Sequence, residues 1–172
     1  MNPEELRAKF PLILHWIQQT LSAHAARARP VASLNFPRLR SYFTPATLSA
    51  ARVVAVDTVP LPPLTALGLT GFTDFENTDA IGITYLDTFF VQADYQDDES
   101  LHFHELVHIV QWNLLGPERF LAIYAEGLEQ FGYRDSPLEE MAYRLEALFG
   151  KGGAPFPVEQ IVARELNELV GI

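Results

Sequence analysis

Cysteine is absent from this chain of 172 residues, which excludes disulfides and any thiolate metal site. A metal ion would therefore have to be held by histidine nitrogens and carboxylate oxygens. Basic residues are also scarce, since 12 Lys and Arg stand against 22 Asp and Glu, for a net charge of -10. This charge opposes the phosphate backbone of nucleic acid, so we expect no nucleic-acid partner.

Long hydrophobic runs are lacking as well. No stretch of about 18 or more apolar residues occurs, so we expect no membrane span. The segment Met1 to Phe10 carries charges of both signs and does not resemble a signal peptide, which predicts a soluble, cytoplasmic protein. With 48% hydrophobic and 20% charged residues, the chain has the size and composition of one domain with a sizeable core.

Apolar spacing and turn residues divide the chain into elements. The predicted elements are a helix from Pro3 to about Ala28, a strand from Arg52 to Val59, a hairpin or long strand within Ala80 to Ala93, helices at Leu101 to Leu115, Glu118 to Phe131 and Leu138 to Phe149, and a last helix near Val158 to Leu169. The stretch Val59 to Ala80 is predicted as an irregular connection, long enough to form a lid. We expect one α+β domain, with an N-terminal helix and loop in 1–50, a core in 51–149 and a C-terminal helix in 156–172.

The segment Leu101 to Trp112 reads LHFHELVHIVQW and contains the motif H-E-x-x-H. On a helix, His104 and His108 share one face about 5–6 Å apart at Cβ, so both can bind one ion. In a metallopeptidase, the Glu of this motif takes a proton from the attacking water and passes it to the leaving amine. We therefore predict His104 and His108 as metal ligands, Glu105 as the catalytic base, and one zinc ion (Zn2+) per chain.

A catalytic zinc needs a third protein ligand and one open position. No histidine follows His108, so the third ligand should be a downstream carboxylate. The residues alone leave four candidates, Glu126 and Glu129 in the second of the three helices and Glu139 and Glu140 in the third.

The stretch GYRDSPLEEMAY, from Gly132 to Tyr143, resembles the N-P-x-E-x-E-A-Y element that follows H-E-x-x-H in several gluzincin-like domain families. Its Glu139-x-x-Ala142 is also similar to the E-x-x-A-D element of membrane-bound gluzincins. The first Glu of these elements binds zinc, so the resemblance implies Glu139 as the third ligand, with Glu126 as the alternative. It also implies a zincin-like fold, in which a small sheet covers the H-E-x-x-H helix and a Glu-bearing helix lies opposite, here with helices at both termini.

The chain departs from these elements at two positions. Met141 replaces the second Glu, and Tyr143 stands where the E-x-x-A-D form has an Asp that supports a histidine ligand. The pattern does not name the residue that makes this contact here. Ser136 to Glu139 is moreover the pattern of a capping box, in which Glu139 would accept from a backbone amide and bind no metal.

Zincins lay their substrate along an edge strand above the metal helix, where main-chain hydrogen bonds give affinity. The candidates for this edge are Thr84, Tyr85, Thr88, Phe89, Phe90 and Val91. Tyr124, Tyr133 and Tyr143 are candidate hydrogen-bond donors to the oxyanion.

The sequence thus predicts a zinc-dependent peptidase that acts on a peptide or protein substrate. Three alternatives remain. The site could hydrolyse a small amide, the protein could be a zinc-binding regulator without turnover, or the helices could form a metal-free interaction domain with purely structural histidines.

Overall fold

The N-terminal amphipathic pattern forms two helices where the sequence predicts one. In the computed structural model of the chain, which describes residues 3–171, α1 spans Pro3–Arg7 and α2 spans Phe10–His24. Pro11 lies in the first turn of α2, where its missing N–H costs no helical hydrogen bond, so a new helix begins there. The apolar faces of both helices are buried at Leu6, Phe10, Ile13 and Ile17.

Four short strands form one mixed sheet. The strands are β1 (Arg29–Pro30), β2 (Arg52–Val56), β3 (Gly82–Tyr85) and β4 (Thr88–Gln92), in the order β1-β2-β4-β3. β4 is parallel to β2 and antiparallel to β3. The predicted hairpin therefore forms, and Leu86 turns the chain with a φ of 57°.

The expectation that Thr88, Phe89, Phe90 and Val91 form a substrate-binding edge is wrong. They belong to β4, which has β2 on one side and β3 on the other, and Phe89, Phe90 and Val91 are 0% exposed. A run of β-branched and aromatic residues suits an interior strand as well as an edge, so composition could not distinguish the two. The free edge of the hairpin belongs to β3, which contains the other two candidates, Thr84 and Tyr85.

Three further helices border the sheet and the core. Helix α3 (Pro45–Ala50) precedes β2, α4 (Thr73–Glu76) interrupts the connection between β2 and β3, and α7 (Val158–Val170) ends the described chain. Among residues 3–171, no helix has the length and apolarity needed to cross a membrane.

Two long helices lie between the sheet and the C-terminal helix in sequence, α5 (Glu99–Phe131) and α6 (Pro137–Gly150). α5 bends sharply at Gly116, whose φ of 72° and ψ of 164° lie outside the helical range. It therefore consists of the two helices that the sequence predicts, a first arm (99–115) and a second arm (117–131).

Helix α5 packs against both β3 and α6. Small residues permit the close approach of the helices, since Ala142 of α6 is fully buried. A Cβ at Gly127 would lie 2.9 Å from the side chains of both Ser136 and Pro137. This packing places the first turn of α6 beside the H-E-x-x-H segment. The architecture is α+β with helices at both ends, as the sequence predicts.

Candidate metal centre

Three side chains from two helices meet at one point. His104 and His108 lie one turn apart on the first arm of α5, and Glu139 lies in the first turn of α6. His104 Nε2 is 3.1 Å from His108 Nε2, and Glu139 Oε2 is 3.3 Å and 3.4 Å from these two nitrogens. All three residues are buried. Two nitrogens and one carboxylate oxygen therefore form a nearly equilateral triangle, which we call the ligand triangle.

The ligand triangle has the dimensions of one face of a coordination tetrahedron. Imidazole and carboxylate bind zinc at about 2.0–2.1 Å, which separates the ligand atoms of a tetrahedral site by about 3.3–3.4 Å. Among the described residues, Glu139 Oε2 is the one buried side-chain nitrogen or oxygen that makes no hydrogen bond. Burying such an oxygen without a partner costs free energy, and a cation at the triangle would remove that cost. The residues present therefore fit a metal ion.

Each imidazole has its other nitrogen held by an oxygen acceptor. Glu146 Oε2 lies 3.1 Å from His104 Nδ1, and Gln111 Oε1 lies 2.8 Å from His108 Nδ1. The Gln111 amide is oriented because its nitrogen donates to the Leu138 carbonyl oxygen at 3.0 Å. A proton on each Nδ1 satisfies these acceptors and leaves both Nε2 lone pairs facing the triangle, as metal-binding histidines require.

Glu139 is oriented by a tyrosine and not by a helix cap. The Tyr124 hydroxyl, on the second arm of α5, donates to Glu139 Oε1 at 2.6 Å. Ser136 is the N-cap residue of α6, but its hydroxyl donates to the Tyr133 carbonyl oxygen, and no side-chain cap bond forms. The capping-box interpretation of Glu139 is therefore wrong, because its carboxylate is directed at Tyr124 and the histidines.

Glu105 lies between the two histidines in sequence and faces β3. The Thr84 hydroxyl donates to Glu105 Oε2 at 2.6 Å. A Cβ at Gly82 would lie only 2.4 Å from Glu105 Oε1, so the glycine allows the carboxylate to lie directly against the strand. Glu105 lines the same pocket as His108 and Glu139. The strand therefore holds the predicted base beside the ligand triangle.

The free edge of β3 borders the same pocket. Gln92 N donates to the Ile81 carbonyl oxygen at 2.8 Å, so Ile81 and every second residue after it direct their backbone N–H and C=O groups toward β4. Alternate residues of an antiparallel ladder direct their backbone groups away from the partner strand, so those of Gly82 and Thr84 point to the free edge. Trp112 Nε1 donates to the Thr84 carbonyl oxygen at 3.2 Å. The N–H of Thr84 and the N–H and C=O of Gly82 therefore point outward at the edge of β3 that borders the pocket.

Burial and neighbouring charges set the protonation of the metal-free site. Burial alone would lower the pKa of His104, but the adjacent carboxylates of Glu139 and Glu146, with that of Glu105 nearby, raise it to about 10. Burial alone would raise the pKa of Glu139, but His108 and His104 outweigh it, so this pKa is lowered. Burial raises the pKa of Glu105, and the two histidines oppose this only in part. In the metal-free site, the positive charge of a protonated His104 therefore lies between the carboxylates of Glu139 and Glu146, where a bound cation would otherwise balance them.

The other predicted carboxylates lie outside this cluster. Glu126, Glu129 and Glu140 are all exposed on the surfaces of α5 and α6. Within residues 3–171, the ligand triangle is the group of His, Asp and Glu side chains whose ligand atoms converge closely enough to hold one ion. The structure therefore favours Glu139 over Glu126 as the third ligand.

The three candidate tyrosines have different surroundings. Tyr124 already donates its hydroxyl proton to Glu139. Tyr143 packs its ring 4.6 Å from that of His104, measured between centroids, beneath the Arg134 guanidinium. Tyr133 lines the pocket together with Glu139. Of the two candidates that line the pocket, Tyr133 is the one whose hydroxyl is not bonded to Glu139.

Glu146 is a site residue that the sequence reasoning missed. It makes the contact to His104 that the E-x-x-A-D element assigns to an Asp at the position of Tyr143. Glu146 follows Glu139 by two helical turns and lies on the same face of α6, so helical spacing from Glu139 could have indicated it. The orientation of Gln111 toward His108 depends on how α5 and α6 pack, so no local pattern indicates this contact.

No family model, curated protein or solved structure matches this chain. The resemblance to gluzincins therefore rests on residues 101–143 alone.

Proposed function

We propose that the chain is a zinc-dependent hydrolase that cleaves peptide bonds. The observation that supports this most directly is the ligand triangle, whose edges of 3.1, 3.3 and 3.4 Å suit tetrahedral zinc. Two imidazoles and one carboxylate are a common donor set of catalytic zinc sites, in which the fourth position stays open to water or substrate. His108 and Glu139 line the pocket, so the open position would face it.

Zinc, when bound, supplies a Lewis acid that polarises a carbonyl and makes water more acidic. Glu105 accepts a proton from the attacking water and delivers it to the amine nitrogen as the C–N bond breaks, which yields a carboxylate and an amine. The hydrogen bond from Thr84 holds the Glu105 carboxylate in one orientation. Burial raises the pKa of Glu105, and this makes the carboxylate a better proton acceptor.

The substrate-binding groups of this proposal lie on β3 and beside it. The backbone groups of Gly82 and the Thr84 N–H can pair with an extended peptide, which is how an exposed strand edge recognises a segment. The Tyr133 hydroxyl, at the same pocket, can donate to the oxyanion as it develops on the carbonyl oxygen.

Hydrolysis of small amides is a second candidate, and one observation supports it. The connection between β2 and β3 lies over the hairpin, because the Tyr85 hydroxyl donates to the Pro60 carbonyl oxygen at 2.7 Å. Leu64, Leu69 and Phe72 of this connection line the pocket. A wall at this position limits how far an extended polypeptide can run along β3.

The proposal is tested with zinc-loaded protein and a mixture that runs from small N-acyl amides through dipeptides to long peptides, with products identified by mass spectrometry. We expect cleaved peptide bonds in the wild type. Glu105→Gln should retain zinc and lower the rate by at least ~100-fold, the usual effect of removing a general base. Glu118→Gln is the matched control, since Glu118 is exposed on the same helix.

Each other outcome has a defined meaning. Unchanged cleavage by Glu105→Gln would contradict the role of Glu105. Cleavage of the small amides alone would favour the second candidate. Bound zinc with no cleavage of any substrate would favour a zinc-binding regulator.

A further inference from the structure

The pocket beside the ligand triangle is polar at one end only. Its polar side chains are Glu105, His108, Glu139, Thr84, Tyr124 and Tyr133. The other lining side chains come from α1 and α2, from the connection 57–81, from β3 and from both arms of α5. They are apolar except at the Tyr85 hydroxyl and the Trp112 N–H, which already donate to the carbonyl oxygens of Pro60 and Thr84. Among the described lining residues, the carboxylates are those of Glu105 and Glu139, and no lysine or arginine contributes. The pocket therefore offers no ionic partner to a substrate group that lies away from the metal.

The wall opposite α5 is built by two segments, which together we call the cover. The cover consists of α1 with α2, and of the connection 57–81. Its pocket-lining apolar side chains are Leu6, Phe10, Ile13, Ile17, Pro62, Leu64, Leu69, Phe72 and Phe75. None of these residues lies within 101–143, the stretch that carries the gluzincin resemblance. The shape of the pocket is therefore a property of this chain.

Specific contacts attach the cover to the catalytic side of the pocket. The ring of Phe75 lies 5.8 Å from that of Tyr124 and 5.9 Å from that of Tyr133, between centroids. The ring of Trp16, on α2, lies 5.6 Å from that of Tyr85. Aromatic contacts of this kind stabilise packing beyond the area they bury. The apolar wall is therefore held directly beside Tyr124 and Tyr133, which line the polar end of the pocket.

We infer that this pocket receives an uncharged, apolar side chain of the substrate, of leucine or phenylalanine type, next to the bond that is hydrolysed. This inference rests on the proposed zinc-dependent hydrolysis. An apolar side chain gains free energy when it leaves water for an apolar pocket, in proportion to the area buried. A charged side chain would lose its hydration there and find no ion to pair with.

Ala125 is the lining position whose small side chain leaves room for this substrate side chain. It lies on the second arm of α5 between Leu121 and Leu128, and all three residues line the pocket. Its methyl group is the smallest apolar side chain among the lining residues of that arm. A large side chain at position 125 would occupy space that the substrate side chain needs.

The test measures binding, so it does not depend on turnover. Zinc-loaded protein is titrated by calorimetry with three peptide hydroxamates, zinc chelators that differ only in carrying a glycine, leucine or aspartate residue beside the chelating group. We expect the leucine compound to bind at least about tenfold more tightly than the glycine compound, and the aspartate compound to bind no better than the glycine one. Ala125→Phe should abolish the preference for leucine. Ala147→Phe, at an exposed position of α6, should keep it.

The outcomes separate the pocket from the hydrolase. Equal binding of the glycine and leucine compounds, or tighter binding of the aspartate one, overturns the pocket assignment even if peptides are cleaved. A preference for leucine that survives in folded, zinc-loaded Ala125→Phe also overturns it. A preference for leucine without cleavage of any peptide supports the pocket and contradicts the hydrolase. If Ala125→Phe does not fold, the relative affinities of the three hydroxamates for the wild-type protein decide whether the pocket assignment holds.

Discussion

Glu146 Oε2 lies 3.1 Å from Nδ1 of His104, while Nε2 of the same ring faces Glu139 and His108. An acceptor on one ring nitrogen fixes the tautomer and makes the other nitrogen a better ligand, and losing such a contact commonly costs ~10–100-fold in metal affinity. We expect Glu146→Ala to weaken zinc binding by this amount, as measured by competition with a chromogenic chelator.

Glu140→Ala is the control for Glu146→Ala. Glu140 is on the same helix, its side chain is 58% exposed, and its carboxylate is 3.6 Å from Arg144 and away from the histidines. It should leave zinc affinity unchanged. Equal affinities in Glu146→Ala and Glu140→Ala would show that the contact with His104 does not support the ligand.

Tyr124 and Tyr133 allow metal binding and catalysis to be separated. Tyr124→Phe removes the donor to Glu139 Oε1, so zinc affinity should fall by about two- to tenfold, the usual effect of one hydrogen bond, with a near-normal kcat once zinc is saturating. Tyr133→Phe should leave zinc affinity unchanged and lower kcat by about tenfold or more. Chelator competition and steady-state kinetics measure the two effects, and the reverse pattern would exchange the roles of the two tyrosines.

Zinc uptake should release a proton from His104. The pKa of His104 is raised to about 10 in the metal-free protein, so the ring is charged at neutral pH, whereas zinc binds only the neutral imidazole. The apparent zinc affinity should therefore rise with pH, about tenfold per unit for one released proton, and level off near pH 10. Calorimetry in buffers of different ionisation enthalpy counts the protons. An affinity independent of pH from about 6 to 9 would contradict a protonated His104.

The helices of the core were predictable because local signals define them. Asp98 accepts from the amides of Ser100 and Leu101 at the start of α5, and Gly116 separates its two arms, as the sequence indicates. The break between α1 and α2 was missed because the apolar spacing continues through it. Helical periodicity indicates which face of a segment is buried. It does not indicate a break between two helices when both helices bury the same face.

Strand order and the contacts around the ligands were not predictable from local patterns. β4 lies between β2 and β3, and its parallel pairing with β2 requires the connection 57–81 to cross over. No local sequence signal gives the path of that connection. Gln111 depends in the same way on the packing of α5 and α6, since it bonds His108 on its own helix and Leu138 on the other. Helical spacing alone predicts that His104 and His108 share one face. The preference for Glu139 over Glu126 as the third ligand came only from the resemblance to gluzincins.

The most direct test of the account is elemental analysis of the purified, untagged protein for bound metal, beside His108→Ala and the control His24→Ala. His24 lies at the end of α2, where its Nδ1 is 2.8 Å from the Thr20 carbonyl oxygen, outside the ligand triangle. The account predicts about one zinc per chain in the wild type and in His24→Ala, and loss of zinc in His108→Ala. No bound metal after incubation with zinc at neutral pH, or full occupancy in His108→Ala, would contradict it.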